Sequence, residues 1–354
     1  MSILDSLFLK KENIKKGDKK MKVAINGFGR IGRLVYRLME DDNNLEVVAI
    51  NDLTEPKQLA YLLKYDTNHG NYKLDDITYD DDHIYVGDKK IKVYKENDPS
   101  LLPWGELGVE TVFECTGHFT SYEKALLHVK AGCKHVIVSA PCKGDVKTIV
   151  YNVNHDILTG DEDVISAASC TTNCLAPVLN LVEKEYGIEM GYMTTVHAYT
   201  NDQVTLDVAH KKGIESRRGR ACAMNIVPTS TGAASAIGNV IPSLKGKMKG
   251  MAMRVPVSTG SVVDLVLKLK KDVTIEELNK LFENNQNETI KITYDPVVSS
   301  DVISSHVGAL VDGLSTDVLE TEDGKLVKII AWYDNEMGYS SQMVRTAKHF
   351  ASKD

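Results

Sequence analysis

The first half of the chain alternates short apolar segments with amphipathic ones. Near-continuous apolar segments are typical of parallel strands that are buried on both faces. The predicted strands are MKVAIN at 21–26, LEVVAIND at 45–52, TVFECTG at 111–117 and HVIVSAP at 135–141. The segments IGRLVYRLMED, EPKQLAYLLKYD and SYEKALLHVKAG, which follow the first three strands, carry apolar residues at helical spacing. Strands that alternate with helices predict βαβ units and a parallel sheet with right-handed crossovers.

The second half has longer strand-like segments and fewer helices. Extended segments are predicted at 192–200, 251–257, 261–271 and 325–335. This pattern predicts an α+β domain with a mainly antiparallel sheet. The last segment, MGYSSQMVRTAKHFASK, has its apolar residues on one helical face and predicts a C-terminal helix.

Composition and charge exclude several classes of protein. The 354 residues include 42 Lys and Arg against 49 Asp and Glu, a formal net charge of −7, which gives no basic surface for nucleic acid. No apolar run approaches the roughly 18 residues that a membrane-spanning helix needs. The six cysteines are too few for a disulfide scaffold and form no CxxC pair, which predicts a reducing, cytoplasmic location. The length favours about two domains.

Residues 1–20 differ from the rest of the chain. A short apolar piece precedes six lysines, which is the reverse of the order in a secretory signal. Acidic residues and the lack of arginine argue against a transit peptide. We predict that this segment is a disordered tail, with a usual start at Met21 as an alternative explanation.

A glycine-rich turn follows the first predicted strand. Gly27, Gly29 and Gly32 fit the GxGxxG pattern, whose glycines allow a tight turn, close approach of a pyrophosphate and packing of helix against strand. Asp52 ends the next strand, where an acid binds the adenosine ribose hydroxyls and repels a 2′-phosphate. The pattern predicts a Rossmann-type α/β domain that binds NAD, with NADP as the minority alternative. A glycine-rich turn beside a surface aspartate is the alternative without a ligand.

Cys170 lies at the predicted start of a helix, in SAASCTTNCLAP. The positive end of the helix dipole and the neighbouring hydroxyls favour a thiolate, which is the reactive form of cysteine. Cys174, one turn further on, is predicted to be a buried structural thiol. Pro177 falls inside the same helix, so either a kink or a later helix start is expected.

Several motifs together resemble those of a known family. GFGRIGR with the ND pair that follows, SCTTNCLAP, TTVHAYTNDQ, STGAA, MAMRVP and WYDNEMGYS are similar to motifs of the phosphorylating, NAD-dependent glyceraldehyde-3-phosphate dehydrogenases. The resemblance runs from about Met21 to the C-terminus. It implies oxidation of glyceraldehyde 3-phosphate with NAD and inorganic phosphate to 1,3-bisphosphoglycerate in glycolysis, through a cysteine hemithioacetal and a thioester. It also implies a homotetramer.

The resemblance assigns roles residue by residue. It makes Cys170 the nucleophile and His197 its base. Thr200 and Arg254 would bind the substrate's phosphate, and the attacking phosphate would contact Ser169, Thr171, Thr231 and Gly232. The implied NAD contacts are Gly27, Gly29, Arg30, Ile31, Gly32, Asp52, Thr116, Ser139 and Asn335. No metal is implied, and the expected partners are small molecules, with neither nucleic acid nor membrane.

The position of Asn335 implies that the end of the chain returns to the first domain. The expected organisation is a tail at 1–20, an NAD-binding domain at 21–169 and 335–354, and a catalytic domain at 170–334. Arg217, Arg218 and Arg220 either assist the phosphate loop or form a solvated or subunit-contact face. Two other functions stay open: an erythrose-4-phosphate dehydrogenase, which hydrolyses the thioester, and a catalytically silent binding protein.

Overall fold

The computed structural model describes residues 20–40, 42–322 and 324–353. The predicted disordered tail at 1–20 lies outside these residues except for Lys20. Within the described ranges, no helix combines the length and the apolar character that crossing a membrane requires. All the cysteines lie in the described ranges, and they are free thiols.

The first sheet is built from the N-terminal half of the chain. Its strands are β1 (Met21–Asn26), β2 (Leu45–Asn51), β3 (Ile77–Tyr79), β4 (His83–Val86), β5 (Lys89–Tyr94), β6 (Thr111–Glu114), β7 (His135–Val138), β8 (Lys147–Thr148) and β9 (Val164–Ser166). Within the described residues the order is β3-β4-β5-β2-β1-β6-β7-β9-β8. The pairs are parallel except for β3 with β4 and β4 with β5. Because the strand order reverses beside β1, the turn after β1 opens at the edge where such sheets bind ligands.

Helices cover both faces of this sheet. They are α1 (Arg30–Glu40), α2 (Pro56–Lys64), α3 (Trp104–Leu107) and α4 (Tyr122–Lys130). Alternate residues of β1 face opposite cores, as the two-residue period of a strand requires. Ile25 packs into one core with Val35 of α1, and Ala24 packs into the other with Trp104 of α3. Burial on both faces explains the near-continuous apolar character of these strands.

The second sheet is built from the C-terminal half. Its strands are β10 (Ile188–Ala198), β11 (Val227–Thr229), β12 (Met248–Val255), β13 (Ser261–Leu269), β14 (Ile290–Thr293), β15 (Ala309–Asp312), β16 (Asp317–Thr321) and β17 (Gly324–Tyr333). In the described residues the order is β11-β12-β10-β13-β17-β15-β14, and β16 pairs with β17. Only β10 with β12 and β14 with β15 are parallel among these pairs. The helices of this half are α5 (Cys170–Glu185), α6 (Ala233–Val240), α7 (Ile275–Asn284) and α8 (Met337–Ala351).

The last helix packs on the first sheet. Met343 and Phe350 of α8 share a core with Val35 of α1, whereas α5, α6 and α7 share a core with the second sheet. The predicted fold class, a parallel α/β unit combined with a mainly antiparallel α+β unit, is confirmed. The predicted burial of Cys174 is confirmed as well. Helix α5 begins at Cys170 and contains Pro177, so the later helix start is wrong.

Candidate active site

A sharp turn between β9 and α5 presents Cys170. Ala168 has a φ of 59°, in a left-handed region that non-glycine residues rarely adopt and that is concentrated at functional sites. Its N–H donates to Ser166 Oγ at 3.1 Å, and its carbonyl oxygen accepts a hydrogen bond from Tyr339 Oη at 3.3 Å. The turn places Cys170 at the first position of α5, where the helix carries partial positive charge.

The side chain of His197 lies next to the Cys170 thiol. Its Nε2 is 3.3 Å from Cys170 Sγ, and its Nδ1 is 2.7 Å from the carbonyl oxygen of Ala198. In the tautomer whose Nδ1–H donates to that carbonyl, Nε2 can accept the thiol proton, whereas the Arg254 guanidinium, which only donates, lies 2.8 Å from the same Nδ1 and fits the other tautomer. The fold therefore brings the predicted nucleophile and its predicted base into hydrogen-bond contact.

Burial and charge set the protonation of this pair. Burial raises the pKa of the Cys170 thiol, whereas the positive charge of Arg254 acts in the opposite direction. Burial, and then the same arginine, lower the pKa of His197 to about 3. The imidazole is therefore neutral near pH 7, and the nearby guanidinium offsets part of the cost that burial imposes on a thiolate.

Arg254 joins His197 to Thr200. Strands β10 and β12 pair in parallel with His197 opposite Arg254. Arg254 Nη1 lies 2.8 Å from His197 Nδ1, and it donates to the Ala198 carbonyl oxygen at 2.9 Å and to Thr200 Oγ1 at 3.3 Å. Its Nε is buried with no hydrogen-bond partner among the described residues. A guanidinium with an unused buried donor is suited to an anion.

A second arginine, Arg218, supports the loop behind Thr200. It forms an ion pair with Asp202, and its Nε donates to Thr229 Oγ1 at 3.2 Å. Asp202 in turn accepts a hydrogen bond from Thr200 Oγ1 at 2.9 Å. Arg218 therefore contacts the loop next to the predicted phosphate residues, whereas Arg220 forms an exposed ion pair.

The residues predicted for the attacking phosphate lie at two helix N-termini. Ser169 caps α5 with its hydroxyl, and Gly232 is the N-cap residue of α6, beside Thr231. The Thr171 hydroxyl is buried, lies 2.9 Å from Tyr333 Oη and also contacts the Cys170 thiol. Both the hydroxyl and the backbone N–H of Thr171 contact the Cys170 thiol, and the role of Thr171 toward an anion stays a prediction.

Residues of the glycine-rich turn line two cavities. The first, of about 510 Å³, is lined by several predicted site residues: Arg30, Ile31, Ser139, Ser169, Cys170, Thr200 and Asn335. The second, of about 460 Å³, is lined by Gly27, Gly29, Asp52 and Thr116. Residues that the sequence analysis did not predict also line the first cavity, among them Asn68, Tyr199, Asn201, Ser258 and Glu336. Three of these residues lie inside the motifs, next to predicted site residues, and this position could have identified them: Tyr199, Asn201 and Glu336. Asn68 and Ser258 lie in no motif.

The turn itself fits a dinucleotide. Gly27 has a φ of 91°, and a Cβ added there would lie 2.7 Å from the backbone nitrogen of Thr116. A Cβ added at Gly32 would lie 2.1 Å from the Gly27 carbonyl oxygen. Gly29 has nothing within 4 Å of an added Cβ, and it faces the second cavity. Two glycines therefore make the turn, and the third leaves room for a phosphate group.

Hydroxyl groups orient the side chain of Asn335. Its Oδ1 accepts hydrogen bonds from Ser261 Oγ at 2.8 Å and from Thr259 Oγ1 at 3.3 Å. An amide whose oxygen is used in this way has its NH₂ group as a donor for a ligand. Because Asn335 lines the first cavity, this donor suits a carboxamide such as that of nicotinamide.

Carboxylates hold the side chain of Arg30. Its guanidinium donates to both Asp66 and Glu336, and Glu336 Oε2 lies 3.2 Å from Asn68 Nδ2 and 3.1 Å from His69 Nε2. These contacts join the glycine-rich turn to the residue that precedes α8. The charge of the Arg30 side chain is therefore neutralised by Asp66 and Glu336. Its backbone N–H is the group that Arg30 offers at the glycine-rich turn.

The Glu336 contacts predict an acid-sensitive contribution to stability. Burial raises the pKa of Glu336, but hydrogen bonds from Arg30 and His69 outweigh it and hold that pKa at about 2, below the ordinary 4.5. At 1.36 kcal/mol per pKa unit, the carboxylate contributes about 3 kcal/mol, fully present above pH 4.5 and lost as the pH falls towards 2. We expect Glu336→Gln to lower the melting temperature at pH 7, and the difference from wild type to shrink below pH 4.5.

Thermal unfolding of both proteins between pH 7 and pH 3 checks this expectation. Glu320→Gln, which changes a mostly exposed carboxylate on β16, is the matched control and should leave the melting temperature almost unchanged. A Glu336→Gln difference that stays constant across this pH range would contradict the assignment.

One group of potential metal ligands occurs among the described residues. His155, Asp156 and His349 offer ligand atoms within 4.8 Å of one another, and none of them lines the two cavities. His155 Nδ1 accepts the N–H of Asn152 at 3.1 Å, so the proton of the neutral ring lies on Nε2. That tautomer has no further lone pair to offer an ion, and the arrangement does not favour a metal site.

Comparisons with known proteins show to which family this chain belongs. The family described as "Glyceraldehyde 3-phosphate dehydrogenase, NAD binding domain" matches residues 21–122, and the corresponding C-terminal domain family matches residues 169–335. The glyceraldehyde-3-phosphate dehydrogenase of Clostridium pasteurianum is 54% identical over 330 residues, which cover 93% of this chain and 98% of that protein. That of Streptococcus pyogenes is 50% identical over 332 residues, 94% of this chain and 98% of the relative. With both domain families matched and half or more of the aligned residues identical, the chain belongs to the glyceraldehyde-3-phosphate dehydrogenase family.

Proposed function

We propose that this chain oxidises glyceraldehyde 3-phosphate with NAD and inorganic phosphate to 1,3-bisphosphoglycerate. The observation that carries the proposal is the 3.3 Å contact between Cys170 Sγ and His197 Nε2, beside a cavity that reaches the glycine-rich turn. The named relatives and the NAD-binding family domain support the same reaction.

The chemistry at Cys170 begins with proton transfer. His197 Nε2 accepts the thiol proton, the thiolate attacks the aldehyde carbon, and His197 returns the proton to the carbonyl oxygen to give the hemithioacetal. His197 then takes the proton of the hemithioacetal hydroxyl, while Arg254 and Thr200 hold the substrate's phosphate. The chemistry that bound NAD supplies is acceptance of a hydride, which leaves a thioester on Cys170. Inorganic phosphate, held near Ser169, Thr231 and Gly232, attacks the thioester carbonyl and forms the acyl phosphate, with the Cys170 thiolate as the leaving group.

The residues proposed to hold NAD follow the two cavities. Gly27, Gly29, Asp52 and Thr116 would hold the adenosine side, and the backbone of Arg30 and Ile31 would face the pyrophosphate. Ser139 and Asn335 would hold the nicotinamide side, and Gly32 acts by allowing α1 to pack against β1.

Asp52 predicts the preference for NAD over NADP. Its carboxylate accepts the N–H groups of Phe28 at 2.7 Å and Thr54 at 2.9 Å, and it would repel a 2′-phosphate. We expect Asp52→Ala to raise the ratio of kcat/KM for NADP to that for NAD by roughly 10-fold or more, because one full charge is removed next to that phosphate.

Steady-state kinetics with both cofactors measure this ratio. Asp52→Asn is the matched variant, since it removes the charge and keeps one oxygen that can accept one of the two backbone hydrogen bonds, which reach different oxygens of Asp52. An unchanged ratio in both variants would show that other residues set the cofactor preference.

We also propose a homotetramer in the cytoplasm and the domain division stated above, 21–169 with 335–354 against 170–334. Packing of α8 on α1 supports the discontinuous first domain.

Exposed apolar side chains cluster in one segment, which is consistent with a subunit contact: Leu206, Val208, Ile214, Met224 and Ile226. Light scattering of the purified protein measures the mass of the assembly.

The decisive experiment compares substrates with and without phosphate. Reduction of NAD is followed with glyceraldehyde 3-phosphate and with erythrose 4-phosphate, each in buffer with inorganic phosphate and in buffer without it. We expect sustained turnover with glyceraldehyde 3-phosphate only when phosphate is present. Turnover that is indifferent to phosphate would contradict the phosphorolysis step and favour a hydrolytic enzyme.

A further inference from the structure

A buried tyrosine hydroxyl lies between two threonines. Tyr333 is the last residue of β17, and only 2% of its surface is exposed. Its Oη lies 2.9 Å from Thr171 Oγ1 and 2.9 Å from Thr195 Oγ1. Both threonines are buried as well, so these three hydroxyls form a short hydrogen-bonded chain away from water.

Each threonine belongs to an element that carries one residue of the proposed catalytic pair. Thr171 follows Cys170 in the first turn of α5. Thr195 precedes His197 by two positions on β10, so the two side chains lie on the same face of the strand. The Tyr333 ring also meets the His197 ring edge-on, with 5.9 Å between their centroids and 75° between their planes.

The Tyr333 hydroxyl can both donate and accept a hydrogen bond, so it can bond to Thr171 and Thr195 at the same time. Burial raises the pKa of Tyr333, so the phenol keeps its proton. It can therefore donate to one threonine while it accepts from the other, and both bonds are satisfied at once. Movement of α5 along β10 would break one of these bonds and leave a buried hydroxyl without a partner, which is costly.

We propose that Tyr333 is a positioning residue, whose hydroxyl links α5 to β10 and thereby holds Cys170 Sγ within reach of His197 Nε2. The proposal rests on the proposed function, because it assigns a purpose to the distance between these two atoms. Tyr333 lines neither cavity and acts through its neighbours rather than on the substrate.

The first test is Tyr333→Phe, which removes the hydroxyl and keeps the ring. We expect kcat to fall roughly 10- to 100-fold, since misplacement of reacting groups by about 1 Å has effects of that order. The KM for the aldehyde and the affinity for NAD should change less than about 2-fold. The rate at which iodoacetamide alkylates Cys170, followed against pH, should fall at neutral pH and recover only at higher pH. A purely structural role would lower the melting temperature and leave this profile unmoved.

Thr195 supplies a matched pair of variants. Thr195→Val removes the hydroxyl with little change in shape, and Thr195→Ser keeps it. We expect Thr195→Val to shift the alkylation profile in the same direction as Tyr333→Phe, and Thr195→Ser to restore the wild-type profile. In the double variant with Tyr333→Phe, Thr195→Val should have less than about a 2-fold further effect, because the bond it removes is already absent. The two single variants, Thr195→Val and Thr195→Ser, also test the proposal if Tyr333→Phe does not fold.

The outcomes separate this proposal from the proposed function. Wild-type protein that neither oxidises the aldehyde nor is alkylated at Cys170 would overturn the proposed function. If the wild-type protein is active but the alkylation profile of Tyr333→Phe or of Thr195→Val is identical to the wild-type profile, only the role of Tyr333 is overturned. Multiplicative effects of the two substitutions would also overturn it, because they would show that the hydroxyls act independently.

Discussion

Cys170→Ser is expected to abolish aldehyde oxidation and to leave the affinity for NAD unchanged. A serine hydroxyl at this position is far less acidic than a thiol, so neither the helix N-terminus nor His197 can convert it into a nucleophile of comparable strength. We expect kcat to fall by roughly 10⁴-fold or more, as is typical when the nucleophile of a coupled pair is lost. The glycine-rich turn and Asp52 are built from other segments and are not disturbed.

Turnover and fluorescence titration with NAD measure the two properties separately. Cys174 provides the control, because it lies one turn along the same helix and is fully buried, with its Sγ 3.7 Å from the Ala331 carbonyl oxygen. We expect Cys174→Ala to retain most of the turnover. Iodoacetamide should inactivate the wild-type protein with one label per chain, and peptide mapping should locate that label on Cys170. Substantial turnover by Cys170→Ser would remove the thiol from the mechanism.

His197→Asn is expected to lower kcat by roughly 10²- to 10⁴-fold, which is the range for loss of a positioned general base. The substitution removes the acceptor that lies 3.3 Å from Cys170 Sγ. The thiol then ionises by itself, and because burial raises the pKa of Cys170, the alkylation profile should move to higher pH. Because burial and Arg254 hold the pKa of His197 at about 3, we expect no loss of wild-type activity from protonation of His197 near pH 6.

Inactivation by iodoacetamide between pH 5 and pH 10 checks this shift. His83→Asn is the control, because His83 lies on β4, in the antiparallel edge of the first sheet. Its profile should match that of the wild type. Identical profiles for His197→Asn and wild type would mean that another group accepts the thiol proton.

Local features of this protein could be predicted from the sequence because their causes are local. Burial on both faces makes the strands of the first sheet continuously apolar, and the fold class follows from their alternation with helices. The positive φ of Gly27 and the crowding at Gly32 arise between a strand and the next helix, so GxGxxG carries them within six residues. The same is true of Cys170, whose place at the start of α5 depends on its immediate neighbours.

The alignment of distant segments could not be read from any single motif. His197 lies 27 residues from Cys170, and their contact depends on where α5 rests on β10. Resemblance to a family, not residue spacing, pointed to His197 and Arg254, and the parallel register of β10 with β12 places them opposite each other. The Thr171 hydroxyl is a similar case, since the resemblance implied an anion contact and only the fold shows that this hydroxyl lies 2.9 Å from Tyr333 Oη.

The sequence by itself determined the two kinds of sheet, the glycine-rich turn and the start of the helix that carries the thiol. Each of these depends on side chains a few positions apart, so a short pattern is sufficient to specify it. Only the tertiary structure decided that Glu336 neutralises Arg30 across 306 residues and that Tyr333 reaches Thr171 across 162. Such contacts depend on strand order, register and helix packing, which arise from the burial of the whole chain and leave no local pattern at either residue.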